Sequence, residues 1–317
     1  MSATRQPFSP DGLHPERLVE TPLRAASHSP FPFQTMIKHH WTAAFALLAT
    51  ALSLQAQHIH VNAGALSTTI GSQLAFTDAD NYAASSGYVI NMVLRTNGPA
   101  AGLYDGGPTF AAAGSDGFEG TPAVPGSQLA MIVKAVSGPS DGSFSFWESP
   151  GCLEPDDENY APHIAFTVTA GTTNGTNHFV VSENNGQPGQ DPYGHCHGRL
   201  FTANKPGLYT VWFQIADLSR NGPDSVPLHT PSPIYSFYFN AGLNIARLHR
   251  TNETTSATFG TRFQSRFYLE ASPALDEAAL WTTVAGPVNG NNRLQTLTDP
   301  NAFGEPPRFY RLRISTP

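Results

Sequence analysis

Charge is scarce in this chain. Asp, Glu, Lys and Arg make up only 13% of its 317 residues, and the formal net charge is −7. No basic run occurs anywhere in it. Phosphate recognition needs clustered Lys and Arg, so nucleic acid is excluded as a partner. Cysteine is nearly absent: Cys152 and Cys196 are the only two. Without a cysteine cluster, any metal site has to be built from histidine and carboxylate ligands. No segment keeps a helical period over three turns, and the longest apolar run is too short to span a bilayer.

Turn formers and aromatics are plentiful instead, with 28 Gly, 27 Pro, 20 Phe and 10 Tyr. Sparse charge with many aromatics and turns points to an all-β protein. Alternating apolar stretches at 58–64, 73–79, 87–96, 128–138, 143–149, 163–171, 177–183, 207–219 and 232–242 read as strands. Short strands between Gly/Pro/Asn turns predict a β-sandwich, Ig-like or jelly-roll-like, over residues 58–242. Residues 97–127 read as loop, and the Thr-rich stretch 243–265 as a linker. Beyond it, 265–272, 280–286, 293–299 and 308–315 predict a small C-terminal β-module within residues 243–317.

The chain start is not fold material. Residues 1–35 lack periodicity and read as a leader preceding the true start at Met36. From Met36 a charged lead-in precedes the apolar run 41–54, which ends at "QAQ", so residues 36–57 read as a secretory signal peptide. The expectation is an exported protein, periplasmic, cell-surface or secreted, with no transmembrane segment in the mature chain. Export makes a Cys152–Cys196 disulfide one reading and two separate buried thiols the other. If paired, closing a loop of roughly 45 residues would stabilise the domain by about 3–4 kcal/mol.

The histidines carry the main chemical signal. His58 and His60 lie two apart, and so do His195 and His197 in "DPYGHCHGR". Residues i and i+2 of a strand share a face, so each pair offers two imidazoles side by side. Neighbouring strands could bring His58, His60, His195 and His197 to one ion, with His229 as a fifth candidate and His163 as a further one. Imidazole sets suit zinc or copper. Cleavage directly before His58 would also permit a copper brace of its amine and ring. Packing within a hydrogen-bonded patch is the alternative for either pair.

Other motifs are weaker. "GPSDG" at 138–142 matches a nucleophile pattern, but it joins two strands where that motif needs a helix, so Ser140 reads as a turn residue. The carboxylate-rich stretches 77–81 and 154–160 match no calcium loop and read as solvated. Phe144, Phe146 and Trp147 could form a sugar platform, though core packing is the expectation for the two Phe. No catalytic set emerges. The expectation is a non-enzymatic protein that binds a metal ion, and the rival is a structural or adhesive module that binds a polysaccharide or cell-surface protein.

Two stretches together resemble a known group. "LAMIVKAVSGPSDGSFSFWES" and "GHCHGRLFTANKPGLYTVWFQI" are similar to segments of the choice-of-anchor M type of bacterial surface domain. The matching positions are His195, His197, Phe201, Thr202, Pro206, Gly207 and Tyr209. Arg199-Leu200 departs from that pattern, where an aromatic commonly sits. The resemblance implies an exported surface protein, some members of the group occurring beside metal-uptake systems. Residues 243–317 resemble a small β-module at the C-terminus of exported proteins of Verrucomicrobia-like bacteria, which implies an accessory role.

Overall fold

In the computed structural model, residues 59–317 are described, except 118, 252, 277, 278, 303–307 and 317. The expected leader, the signal peptide and His58 lie outside the described residues. Thirteen strands build the first part: β1 (His60–Ala65), β2 (Leu74–Phe76), β3 (Val89–Leu94), β4 (Tyr104–Asp105), β5 (Thr109–Ala112), β6 (Leu129–Ser137), β7 (Ser143–Glu148), β8 (His163–Thr169), β9 (His178–Val180), β10 (Gly194–His195), β11 (Leu200–Ala203), β12 (Gly207–Asp217) and β13 (Tyr235–Ala241). They form a four-stranded sheet, β10-β5-β1-β2, and a curled nine-stranded sheet, β8-β7-β11-β4-β3-β13-β12-β6-β9. The fold is all-β and sandwich-like, as the composition and alternation predict.

The core lies between the two sheets. Along β12 the residues Tyr209, Val211, Phe213 and Ile215 alternate inward and are fully buried. Phe237 and Phe239 of β13 and Met131 and Val133 of β6 stand beside them. The smaller sheet closes over this surface with Val61, Ala63, Leu74, Phe76, Phe110 and Ala112. Phe110 alone meets the rings of Phe179, Phe201, Phe213 and Phe237 at centroid separations of 5.0–6.0 Å. Such pairs add about 0.5–1.5 kcal/mol each beyond their area burial. Phe144 and Phe146 belong to this core, and Trp147 is buried at 6% with its indole N–H donating to Thr202 Oγ1. None of the three is available as a sugar platform.

Two stretches read as loop or linker contain strands. β4 and β5 lie within 97–127, where Thr109-Phe110-Ala111-Ala112 is too short and too small-sided to show a period. In the stretch taken as a linker run β14 (Arg247–Arg250) and β15 (Thr255–Gly260). β15 buries Ala257 and Phe259 on one face. On the other, Ser256 and Thr258 bond across the ladder to Thr298 and Thr296 at 2.9 Å. Its threonines fall on both faces, Thr255 buried beside Ala257 and Thr258 on the half-buried face.

The C-terminal part continues with β16 (Arg266–Ser272), β17 (Thr282–Asn289), β18 (Leu294–Asp299) and β19 (Phe309–Ser315). They form the sheets β14-β15-β18 and β17-β16-β19 over a small core that includes Phe259, Phe267 and Leu269. Its turn at Asn292 is hydrogen-bonded to the start of β3: Val89 N–H donates to Asn292 O at 2.8 Å and Leu294 N–H to Gly87 O at 3.0 Å. The Asn91 side-chain amide donates to Thr261 O at 3.0 Å. Among the described residues no helix is long and apolar enough to cross a membrane.

Phe201 touches six other aromatic rings across both sheets. Phe201→Ala should therefore cost about 3–5 kcal/mol of unfolding free energy, read by urea denaturation. A loss below about 1 kcal/mol would mean that this ring cluster does not hold the sheets together.

Candidate metal centre

β5 positions the site. On one side it pairs in parallel with β1, His60 opposite Thr109 and Asn62 opposite Ala111. On the other it pairs antiparallel with β10, His195 opposite Ala111. Register partners share a face, so His60, Thr109, Ala111 and His195 stand on one side of the sheet. Val61, Phe110 and Ala112 line the core on the opposite side. Ala111, with a single side-chain carbon, leaves room for rings from the two flanking strands to meet.

Both glycines of the "GHCHG" stretch are close-approach positions. A Cβ on Gly194 would overlap the Val181 carbonyl oxygen, and one on Gly198 the Leu153 carbonyl oxygen. Between them Cys196 turns inward and is buried at 3%. It is disulfide-bonded to Cys152, with Cα atoms 5.1 Å apart, which settles the open question of the two cysteines in favour of the bridge. The His195 backbone N–H donates to Glu183 Oε1 at 2.9 Å.

Three imidazoles converge through the same ring atom. His195 Nε2 lies 3.2 Å from His60 Nε2 and 2.7 Å from His197 Nε2. One ligand atom from each ring falls within 4.8 Å of the others. Tetrahedral zinc at about 2.0–2.1 Å from each nitrogen sets its ligand atoms roughly 3.3 Å apart, which is the scale of this cluster.

The opposite ring atoms all face oxygen. His197 Nδ1 lies 2.9 Å from Glu154 Oε1, and His195 Nδ1 lies 3.2 Å from the Tyr193 hydroxyl. Glu119 Oε1 is 3.6 Å from His60 Nδ1 and 3.7 Å from His195 Nδ1. His195 and His197 each have an oxygen within hydrogen-bond distance of Nδ1, and the three Nε2 atoms are turned toward one another. At 2.7–3.2 Å each such pair needs a shared proton or a cation between its nitrogens.

The surroundings favour a cation. The Glu119 side chain is 3% exposed and neither carboxylate oxygen has a hydrogen-bond partner. Burial, then Asp116 and Asp78, pushes its carboxyl above the usual range, while His197 opposes that shift. The imidazoles themselves are 28%, 19% and 32% exposed for His60, His195 and His197, so solvent reaches the cluster.

Not every expected ligand joins. His229, the fifth candidate, is excluded: it is buried at 3%, its Nδ1 faces Ser72 O at 2.9 Å and its Nε2 accepts from Val124 N–H at 2.8 Å. Both ring nitrogens are committed to backbone, so it cross-links loops. His163 begins β8, exposed and paired across to Glu148. Ser140 lies in the turn between β6 and β7. Sequence reasoning missed Glu119, Glu154 and Tyr193. Glu154 belongs to a stretch read as solvated, and its side chain is indeed 50% exposed, yet it orients a ring. Only knowledge of the disulfide would have pointed to it, since Cys152 carries it to Cys196. No family model, curated protein or solved structure matches the chain.

Asp78, beside the cluster, accepts from Asn62 N–H at 3.1 Å. Burial outweighs that bond and pushes its carboxyl from 3.8 up to about 6. The folded state thus holds this proton more tightly than the unfolded chain. The contribution to stability is complete below about pH 3.8 and lost as pH rises through about 6. Metal-free protein should gain stability from this group as pH falls across that window, and Asp78→Asn should remove that part of the slope. Superimposable pH profiles of the two proteins in urea melts would contradict the assignment.

Proposed function

We propose that this is an exported, non-enzymatic protein that binds one transition-metal ion, zinc or copper, through Nε2 of His60, His195 and His197. The observation that carries the reading is the convergence of three Nε2 atoms, with an oxygen within hydrogen-bond distance of Nδ1 on His195 and His197 and the Glu119 carboxylate 3.6 Å from Nδ1 of His60. That outer pattern is the one metal-binding histidines use: the Nδ1–H bond fixes the tautomer and raises the basicity of the ligating nitrogen. Three neutral rings leave a fourth position to water or an exogenous ligand. Export is supported by the charged, apolar, small-residue pattern at 36–57 and by the disulfide, which persists in oxidising compartments.

Purified mature protein should carry or take up about one zinc or copper ion, measured by elemental analysis and titration calorimetry. The double variant His195→Ala/His197→Ala should lose it, and His229→Ala should keep it. Equal metal content in wild type and double variant would end the reading. Because neutral imidazole is the ligand, affinity should fall as pH drops below about 6.5.

Glu119→Gln tests the outer shell. It keeps the shape but removes the charge behind two ligands, and should weaken metal affinity by about 10–100-fold. Unchanged affinity would show that Glu119 is a bystander.

A further inference from the structure

We infer that the Cys152–Cys196 disulfide controls the metal site, so that its reduction by a dithiol weakens metal binding; this rests on the metal-binding reading above. The bond sits where ligand geometry is decided. Cys196 is the residue between His195 and His197, and Cys152 is two residues from Glu154, whose carboxylate orients His197 at 2.9 Å. One covalent link therefore holds two ligands and the acid behind one of them.

The Glu154 segment has little else to hold it. Cys152 takes a left-handed φ of +54°, a conformation that costs a non-glycine residue energy, and Gly151 before it has φ +69°. Residues 154–159 are exposed. Its ties among the described residues include the hydrogen bonds Ser149 Oγ to Leu153 O at 2.6 Å, Cys152 N–H to Ser149 O at 3.0 Å and Tyr160 Oη to Gly198 O at 3.0 Å, and the close approach of Gly198 to the Leu153 carbonyl. Free of the sulfur link, an exposed carboxylate has to pay its own side-chain entropy to stay on His197.

The disulfide is also reachable. A cleft of about 280 Å³ is lined by both cysteines together with Ser149, Val181, Glu183 and Arg199. Cys152 is the less buried of the two residues, so the attack is written on its sulfur. A dithiol's thiolate bonds to Cys152 Sγ while the Cys152–Cys196 bond breaks and its electron pair leaves on Cys196 sulfur, which takes a proton. The second thiol of the reductant then attacks the reductant's own sulfur in the mixed disulfide and releases Cys152, which is protonated in turn. The dithiol departs as a disulfide, oxidised by two electrons, and the protein gains two thiols.

The experiment measures zinc affinity of full mature protein, oxidised and after reduction with a phosphine, with circular dichroism recording the fold. Reduction is expected to weaken binding by about tenfold or more. Cys152→Ser/Cys196→Ser should match the reduced protein and ignore the phosphine. Glu154→Gln should weaken the oxidised protein by a similar factor and shrink the redox difference. Equal affinity of oxidised and reduced protein would overturn this inference alone; failure of the oxidised protein to bind would overturn the metal reading itself. If the reduced chain loses its fold, reciprocity decides from the oxidised side. Zinc should then slow the appearance of thiols in wild type by about tenfold and in Glu154→Gln by clearly less, and equal protection in the two would reject the coupling.

Discussion

A single four-residue strand, Thr109–Ala112, pairs with two neighbours at once, and the arrangement of the smaller sheet depends on it. Without it β1 and β10 would have no common partner, and the histidines that are 135 positions apart would have no reason to meet. The strand is itself anchored by Phe110, whose ring is wedged among four others in the core. Core packing and site assembly are thus one event. The face that packs gives the sheet its stability, and the face that does not pack receives the imidazoles.

The electrostatics of that outer face are unfavourable in isolation. A carboxylate buried without a hydrogen bond is costly, and three ring nitrogens are crowded together beside it. In the proposed metal-bound state a divalent ion would offset both at once, since it would accept electron pairs from the rings, and the acids Asp78, Asp116 and Glu119 would balance its charge.

Much of this was legible beforehand, for identifiable reasons. Alternation predicts that His195 and His197 point together and Cys196 away; the rings do meet and Cys196 is buried, but β10 ends at His195 and His197 stands in the turn that follows it. The long alternating runs around β6, β12 and β13 announce the large sheet because each buries one face. β5 was not legible: four residues are too few to carry a period, and their role comes from two partners distant in sequence. The same limit hid the cysteine pairing, since separation along the chain says nothing of Cα distance, and hid Glu119, which reaches the site from a loop. His229 misled because a buried histidine that braces two backbone segments looks no different in sequence from a ligand. Thr255–Gly260 misled because threonine fits a strand as readily as a linker, whichever face it takes.

The turn at Asn292 that bonds to the start of β3 has a consequence for how the C-terminal part can be used. A module on a free tether searches a volume, and each encounter with an extended target fixes a spacing afresh, at an entropic cost. Here the spacing is already set by main-chain bonds into the large sheet. The two parts therefore keep one relative placement, and no tether has to be ordered when either of them is engaged.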